Sequence, residues 1–399
     1  MSRYHSYINS AASIINKYDG KLPLAVFLKQ FFAQEKKFGS KDRKWVTTLC
    51  YQYFRLNKVH AAMPVNDGIL LAHFFCENKP SDLLEDLQPA WNEAVEKDVY
   101  NKQQIVGASV EPELIFPFQQ EIGGDVDKEN FSFNHLRQPS LFIRLRPNGF
   151  NAGMKKLMAA NVDFKLLDNN CVELPNGTKV DEILMLDKEF VVQDFSSQQT
   201  GQVVKSVIKK PLFNTFYWDC CAASGGKTIM LNDLYPGLEI TVSDIRLSIL
   251  ENLHKRFKDV GIKNYRSFTA DLTKPIDIAT HWYFDWIVAD VPCTGSGTWA
   301  RTPEELFFFD PLTIDTFVVR QKNIVKNALP HLRSKSYFIY ITCSVFAQEN
   351  EGVVKYMQSQ LGLQLLTQQY LKGYENKADT MFIAILKKAP RSEKSNGEK

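Results

Sequence analysis

The segment that decides the fold is Phe216-Tyr-Trp-Asp-Cys-Cys-Ala-Ala-Ser-Gly-Gly-Lys-Thr-Ile-Met-Leu231. An apolar run that ends at Asp219 predicts a strand, the glycine pair predicts a tight turn, and the apolar run from Ile229 predicts a helix. Glycines let the backbone approach a bound molecule, and the free amides at the start of a helix favour a negative group. The segment therefore predicts a strand, a ligand-binding turn and a helix, in that order.

The same alternation of strands and helices continues on the C-terminal side of this segment. It predicts one helix that begins at Gly226 and a second helix that ends at Gly261. It also predicts strands over 238–244, near Tyr265, near Asp285, near Tyr337 and over 380–386. Such a rhythm is typical of α/β proteins with a mostly parallel, doubly wound sheet. Cys221 stands where a Walker loop has its first glycine, and no Gly-x-Gly-x-x-Gly pattern occurs here. The two common nucleotide-binding loops are therefore excluded.

The chain of 399 residues is long enough for several domains. Apolar residues at helical spacing predict an all-helical domain over 1–128. Short strand-like runs around a helix at 151–160 predict a small α/β module over 129–205. The doubly wound domain is expected over 206–388, and the polar segment 389–399 is expected to be a disordered tail.

The overall composition is ordinary for a soluble globular protein, with 44% hydrophobic residues, 23% charged residues and a net charge of +3. No apolar stretch approaches the ~18 residues that a membrane span needs, and the first residues carry no apolar signal core. Seven cysteines without a secretion signal argue for reduced thiols, and neither Cys-x-x-Cys nor His-Glu-x-x-His spacing occurs. We therefore expect a cytoplasmic monomer with no membrane and no metal partner.

Acidic residues follow four of the predicted strands, at Asp219, Asp244, Asp271 and Asp290. In open α/β sheets the ligand lies outside the carboxyl ends of the strands, although each acid could instead cap a helix. The glycine turn and these acids resemble class I S-adenosylmethionine-dependent methyltransferases. The resemblance implies S-adenosylmethionine as the cofactor, with Asp244 at its ribose hydroxyls and Asp271 at its adenine edge. The residues that it assigns to the cofactor are Cys221, Ala222, Ala223, Ser224, Gly225, Gly226, Lys227, Asp244, Asp271 and Asp290.

Two cysteines, Cys293 and Cys343, each stand just past the end of an apolar run. Both thiols are therefore predicted at the ligand crevice of the sheet. Carbon 5 of cytosine is a poor nucleophile, and a thiolate that adds reversibly to carbon 6 activates it for methylation. A carboxyl group such as Asp290 near ring nitrogen 3 would stabilise the charge that forms.

The motifs around these thiols resemble the paired signatures of the RNA cytosine-5-methyltransferase family. They are Asp290-Val-Pro-Cys-Thr-Gly-Ser-Gly-Thr298 and Tyr340-Ile-Thr-Cys-Ser344, followed by Glu349-Asn-Glu351, and the resemblance covers most of residues 140–388. It implies that Cys343 is the nucleophile, that Cys293 assists release of the product and that Asp290 is the third catalytic residue. Ser224 is a departure, since the family usually has proline there.

The helical N-terminus, with Gly39-Ser-Lys-Asp-Arg-Lys44 and Tyr51-Gln-Tyr-Phe-Arg55, resembles the antitermination-factor-like RNA-binding domain of the bacterial member that modifies small-subunit ribosomal RNA. The resemblance implies an RNA partner, with ribosomal RNA favoured over transfer RNA, and makes the small α/β module RNA-recognition-like. Arg144 and Arg146 share one strand face and either contact the RNA backbone or line a solvated sheet face.

Three alternatives to a ribosomal RNA cytosine-5 methyltransferase remain open. One is a transfer RNA enzyme of the same chemistry, and another is a Rossmann-like methyltransferase of a different substrate. The third is a non-catalytic RNA-binding factor of ribosome assembly. Small-molecule methyltransferases need neither thiol, and no proposed catalytic residue is missing from the chain, so the last two are disfavoured.

Overall fold

The computed structural model describes residues 2–168, 170–209, 214–276 and 282–390. Most of the predicted disordered tail, from residue 391 onward, lies outside these residues. Among the helices of the described ranges, none combines the length and the apolar character that crossing a membrane would need.

The N-terminal part of the described chain is helical, as its periodicity predicts. Its helices are α1 (Arg3–Lys17), α2 (Leu24–Gln34), α3 (Ser40–Leu56), α4 (Val65–Cys76), α5 (Asp82–Leu87), α6 (Pro89–Glu93), α7 (Val99–Val106), α8 (Pro112–Ile115) and α9 (Lys128–Asn134). The apolar stripe of α1 packs on α3, where Val46, Leu49 and Phe54 are buried. Burial of these stripes, at about 25 cal/mol per Å² of apolar surface, holds the helices together.

A small four-stranded sheet follows, with strands β1 (Leu141–Leu145), β2 (Lys165–Asp168), β3 (Cys171–Leu174) and β4 (Phe190–Val192). Its order is β2-β3-β1-β4 and all of its pairs are antiparallel. Helix α10 (Phe150–Ala159) contributes Leu157 to the same buried cluster as Ile143 and Val172. The strand predicted from Val162 begins at Lys165 instead, and β3 has no counterpart among the sequence predictions.

The C-terminal part contains a seven-stranded sheet with the order β10-β11-β9-β8-β5-β6-β7. Its strands are β5 (Phe216–Asp219), β6 (Glu239–Asp244), β7 (Tyr265–Thr269), β8 (Phe284–Asp290), β9 (Leu332–Thr342), β10 (Leu363–Leu371) and β11 (Met381–Lys388). The first five pair in parallel, whereas β11 pairs antiparallel with both β9 and β10. The predicted mostly parallel sheet is therefore confirmed.

Helices cover both faces of this sheet, because its central strands are apolar on both sides. The helices are α11 (Phe195–Val207), α12 (Gly226–Leu234), α13 (Leu247–Val260), α14 (Pro303–Phe307), α15 (Ile314–Ala328) and α16 (Glu351–Ser359). In β8, Ile287 joins the buried cluster on one face and Val288 joins that on the other. From β5, the chain adds β6 and β7 on one side and then β8 and β9 on the other, so the strand order reverses beside β5. Ligands of such sheets bind at this switch point.

Neither interpretation of Arg144 and Arg146 holds. The Nη1 atom of Arg144 lies 2.7 Å from Oδ2 of Asp233 in α12, and Nη2 of Arg146 lies 2.7 Å from the other carboxyl oxygen. The side chains of Arg144 and Asp233 are only 2% and 6% exposed. The two arginines therefore tie the small sheet to the large one and are not available to line a solvated surface.

Asp219 at the end of β5 also faces inward. Its side chain is buried and accepts a hydrogen bond of 2.6 Å from Oγ1 of Thr228. Burial raises the pKa of Asp219 to about 7, although the bond from Thr228 opposes the shift. Of the four acids at strand ends, this one therefore belongs to the core.

Asp233→Asn should lower the free energy of unfolding by about 3–5 kcal/mol, because it leaves two arginines without their shared charge. Urea unfolding at neutral pH measures this change. Asp259→Asn, at an exposed position of α13, is the control and should leave the unfolding midpoint almost unchanged. Equal midpoints for the two variants would contradict the account.

Asp219→Asn should raise the melting temperature more at high pH than at low pH. The carboxyl group has an ordinary pKa of 3.8 and a folded pKa of about 7. The folded chain therefore binds a proton that the unfolded chain has lost, and stability falls as pH rises through this window. Melting curves of both proteins from about pH 5 to about pH 8 measure the difference, and a constant difference would refute the assignment.

Candidate active site

The loop between β5 and α12 takes its shape from Gly225. This residue has φ +80°, in the left-handed region, and a Cβ there would lie 2.7 Å from the Phe257 ring. The amide of Ala222 donates to the carbonyl of Ser243 at 2.9 Å, which holds the loop against the end of β6. A Cβ at Gly226 would meet no protein atom within 4 Å. Open space therefore lies against the start of α12, where a ligand could approach the backbone.

Ser224, the departure from the family's proline, is held by a long-range contact. Nη1 of Arg256 in α13 donates to the Ser224 carbonyl at 2.9 Å and lies 3.0 Å from its hydroxyl. The same guanidinium is paired with Asp187 at 2.8 Å. The arginine thus restrains the loop at the point where a proline would otherwise stiffen it.

Asp244 and Asp271 lie at adjacent strand ends, and both carboxyl groups organise turns. Asp244, with a side chain 7% exposed, accepts hydrogen bonds of 3.0 Å from the amides of Ala223 and Arg246. Asp271 accepts bonds of 2.6 Å and 3.0 Å from the hydroxyl and amide of Thr273, and the hydroxyl bond lowers its pKa. Their position suits a cofactor, whereas the helix-capping alternative is not what the structure shows: the N-cap of α13 is Arg246, which has no side-chain cap, and Asp271 bonds within a turn.

Lys227 and Asp290 form an ion pair across the switch point. Nζ of Lys227 lies 2.5 Å from Oδ2 of Asp290, and the lysine side chain is 12% exposed. Burial alone would lower the pKa of Lys227, but attraction to Asp290 and then to Cys343 outweighs it, so the pKa is raised. Lys227, which the sequence assigns to the cofactor, thus directs its ammonium group to the acid that is predicted at the pyrimidine ring.

The two predicted catalytic thiols lie side by side. Strands β8 and β9 pair in parallel with Asp290 opposite Ile341, so the loops that follow them begin at the same edge of the sheet. Sγ of Cys293 lies 3.3 Å from Sγ of Cys343, and both residues are partly exposed. The contact with Cys343 and then burial raise the pKa of Cys293 well above that of a free thiol. Both effects oppose ionisation of the Cys293 thiol.

The loop that carries Cys343 is fixed by Asn350, which the sequence analysis did not single out as a working residue. Oγ1 of Thr342 donates to its Oδ1 at 2.5 Å, and its Nδ2 donates to the carbonyl of Ser344 at 2.8 Å. One buried amide thus bonds to the residues on both sides of Cys343. The Glu-Asn-Glu motif downstream of the thiol was the available signal.

Four of the other cysteines are assigned neither to the cofactor nor to catalysis. Cys50, Cys171 and Cys220 are buried, as expected of small apolar residues, and Cys76 is half-buried. Within the described ranges, no group of three or more His, Cys, Asp or Glu side chains could hold a metal ion.

The basic segment at the start of α3 is shaped by an acid within it. Asp42 accepts hydrogen bonds from the Gly39 amide at 2.8 Å and from the Tyr7 hydroxyl at 2.7 Å. Lys44 of this segment lines a cleft of about 1340 Å³ between the helical part and the rest of the chain, together with Arg137 and Lys377. Within this segment, Asp42 therefore caps α3 and Lys44 faces an open cleft.

Three kinds of similarity place the chain among known proteins. Residues 206–397 match the family model described as 16S rRNA methyltransferase RsmB/F. A probable ribosomal RNA small subunit methyltransferase B from Synechocystis sp. is 25% identical over 326 residues, which are 78% of this chain and 72% of that protein. The relative of that name from Shigella sonnei is matched over only 32% of its length.

Two solved structures show the same fold. The crystal structure of PH0851 superposes with a TM-score of 0.69 at 16% identity, covering 96% of this chain and 98% of that one. NSun6 from Pyrococcus horikoshii, solved with SFG, gives a TM-score of 0.58 at 17% identity over 69% of this chain and 97% of that one. The C-terminal sheet domain is therefore similar to the RsmB/F methyltransferase family over residues 206–397, and the two solved structures show that the chain shares their fold.

Proposed function

We propose that this protein transfers the methyl group of S-adenosylmethionine to carbon 5 of a cytosine in RNA. The observation that carries the proposal is the pair of partly exposed thiols, Cys293 and Cys343, whose sulfurs are 3.3 Å apart at the ends of neighbouring strands. Methylation of carbon 5 needs a nucleophile to activate the ring, whereas most other methyl transfers do not. Two adjacent thiols therefore favour this chemistry over other reactions of the same fold.

S-adenosylmethionine would be held by the loop from Cys221 to Lys227, by Asp244 and by Asp271. The open space at Gly226 and the carboxyl groups at the ends of β6 and β7 suit its methionine end, its ribose and its adenine, respectively. When bound, it supplies an electrophilic methyl group on a sulfonium. NSun6, with the same fold, was solved with SFG, an analogue of S-adenosylmethionine, which supports the choice.

Cys343 would act as the nucleophile. Once its thiol has given its proton to solvent, the Cys343 sulfur forms a bond to carbon 6, and the electron pair of the carbon 5–carbon 6 double bond moves toward ring nitrogen 3 and makes carbon 5 nucleophilic. Asp290 would bind that edge of the ring, and the ammonium group of Lys227 at 2.5 Å balances the charge there. This chain's residues thus activate the ring without any other group.

Cys293 would assist release of the product. After carbon 5 has gained the methyl group, its proton passes to a water molecule, the bond between carbon 6 and the sulfur of Cys343 breaks, and that bond's electron pair returns to the sulfur. A protonated thiol 3.3 Å away can donate a hydrogen bond to the departing thiolate. The raised pKa of Cys293 supplies the protonated thiol that this role requires.

Ribosomal RNA is the substrate that the comparisons favour. The name of the Synechocystis relative refers to the small ribosomal subunit, and so does the description of the family. The cleft of about 1340 Å³ beside Lys44, Arg137 and Lys377 offers cations and room for a polyanion. A non-catalytic assembly factor is disfavoured, because such a protein has no need to keep the two sulfurs in contact.

Cys343→Ala should abolish the covalent adduct with RNA that carries 5-fluorocytidine, and should reduce methyl transfer at least about a thousand-fold. The fluorine at carbon 5 cannot leave as a proton does, so the wild-type protein should stay attached to this RNA. Denaturing electrophoresis detects the adduct. Cys293→Ala should instead accumulate an adduct with ordinary cytidine, while Cys171→Ala, in β3 of the small sheet, should behave as wild type. Methyl transfer by Cys343→Ala at the wild-type rate would overturn the mechanism.

Asp244→Asn should weaken S-adenosylmethionine binding roughly 10- to 100-fold, because a carboxyl group that binds hydroxyls loses its charge. Isothermal titration with the cofactor alone measures the effect. Asp163→Asn, at an exposed position, is the matched control. Unchanged affinity in Asp244→Asn would mean that this acid serves only the turn between β6 and α13.

A further inference from the structure

We infer that Glu349 is a positioning residue that fixes the distance between the two thiols, an inference that rests on the proposed function. Glu349 lies in the turn before α16 and its residue is fully buried, with 0% exposure. A buried carboxyl group is costly unless hydrogen bonds satisfy it. The partners of this one belong to both catalytic loops.

One set of contacts reaches the Cys293 loop. Oε1 of Glu349 accepts a bond of 2.9 Å from the amide of Thr294, the residue after Cys293. Oε2 accepts a bond of 2.6 Å from the Thr294 hydroxyl. Gln321 of α15 completes this side, because its Nε2 donates to Oε1 at 2.8 Å and to the carbonyl of Pro292 at 3.1 Å. Thr294 is thus bonded to Glu349 directly, and Pro292 is linked to it through Gln321.

The other contact reaches the Cys343 loop. The hydroxyl of Ser344, the residue after Cys343, donates to Oε2 of Glu349. The backbone of Glu349 is itself anchored to β9, since its carbonyl accepts a bond of 2.7 Å from the Tyr340 hydroxyl. A single carboxyl group therefore bridges the residues that follow the two thiols.

Direct contacts between the loops complete the arrangement. The amide of Gly297 donates to the carbonyl of Cys343 at 2.9 Å, and Ser296 accepts a bond of 2.9 Å from the Val345 amide. A Cβ at Gly297 would lie 2.0 Å from the carbonyl oxygen of Thr380, so only glycine allows this approach. Asn350, by contrast, bonds to the Cys343 loop but has no contact of this kind with the Cys293 loop.

Addition of Cys343 to the ring and release of the product depend on the Glu349 bridge to different degrees. Addition of Cys343 to the ring needs one sulfur, whereas release needs Cys293 to stay within hydrogen-bond reach of it. Loss of the bridge loosens the Cys293 loop at Thr294, although the bonds of Ser296 and Gly297 remain, and should therefore slow release more than addition. A residue that only stabilised the fold would slow both steps alike or neither.

The experiment compares Glu349→Ala, Glu349→Gln and Thr294→Val with wild type in single-turnover reactions on cytidine RNA. The adduct and the methylated product are followed in time, and melting temperature and S-adenosylmethionine affinity report on the fold. Glu349→Ala should accumulate adduct and release product roughly tenfold or more slowly, with unchanged cofactor affinity. Thr294→Val, which keeps the amide bond but loses the hydroxyl bond, should slow release by a smaller factor and leave addition unchanged.

Glu349→Gln should restore most of the release rate. Its amide oxygen can accept from the Thr294 amide and Gln321, and its NH₂ group can donate to the hydroxyl oxygens of Thr294 and Ser344. Release at the wild-type rate in both Glu349→Ala and Thr294→Val would overturn the inference. If Glu349→Ala does not fold, Thr294→Val alone decides it. A wild-type protein that forms no adduct with 5-fluorocytidine RNA would instead refute the proposed function.

Discussion

The parallel pairing of β8 with β9 is the constraint on which the site depends. Asp290 lies opposite Ile341, so the loops that carry Cys293 and Cys343 leave the sheet together, and the sulfurs meet at 3.3 Å. A slip of one residue would move one loop by about 3.3 Å along the strand and would turn alternate side chains to the other face. The apolar side chains on both faces of β8 oppose such a slip, because it would remove Ile287 and Val288 from the two buried clusters in which they pack.

Buried polar contacts join the small sheet and the helical N-terminal part to the domain of the large sheet. Asp233 receives both arginines of the small sheet, and Arg55 of α3 donates to the carbonyl of Ala300 at 2.6 Å, in the loop that follows Cys293. Arg301 in the same loop pairs with Asp194 and Asp379. The helical part therefore contacts the segment after Cys293 through Arg55, and Asp194, which follows the small sheet, contacts it through Arg301. These charged groups are costly to leave unpaired.

Local pattern was sufficient to predict every strand of the large sheet except β10, the helices α12 and α13, the glycine turn at Gly225 and the position of both thiols at one edge of the sheet. Each of these follows from short apolar runs and from the rule that parallel strands end at one edge. The roles of Arg144, Asp219 and Glu349 could not be predicted, because their partners Asp233, Thr228 and Thr294 come from other elements. Side-chain alternation places a residue on a face, but only the packed structure shows what that face meets. The cofactor and RNA assignments of the site residues stay predictions.

Gly297 illustrates what close packing beside a reactive group implies for sequence variation. With the Thr380 oxygen 2.0 Å from where a first side-chain carbon would stand, no substitution there can be absorbed by a change of rotamer. The backbone at Thr380, the residue before β11, would have to move instead. In a library of random variants selected for folded protein, position 297 should stay almost invariably glycine, whereas the exposed positions of α13 should accept many residues.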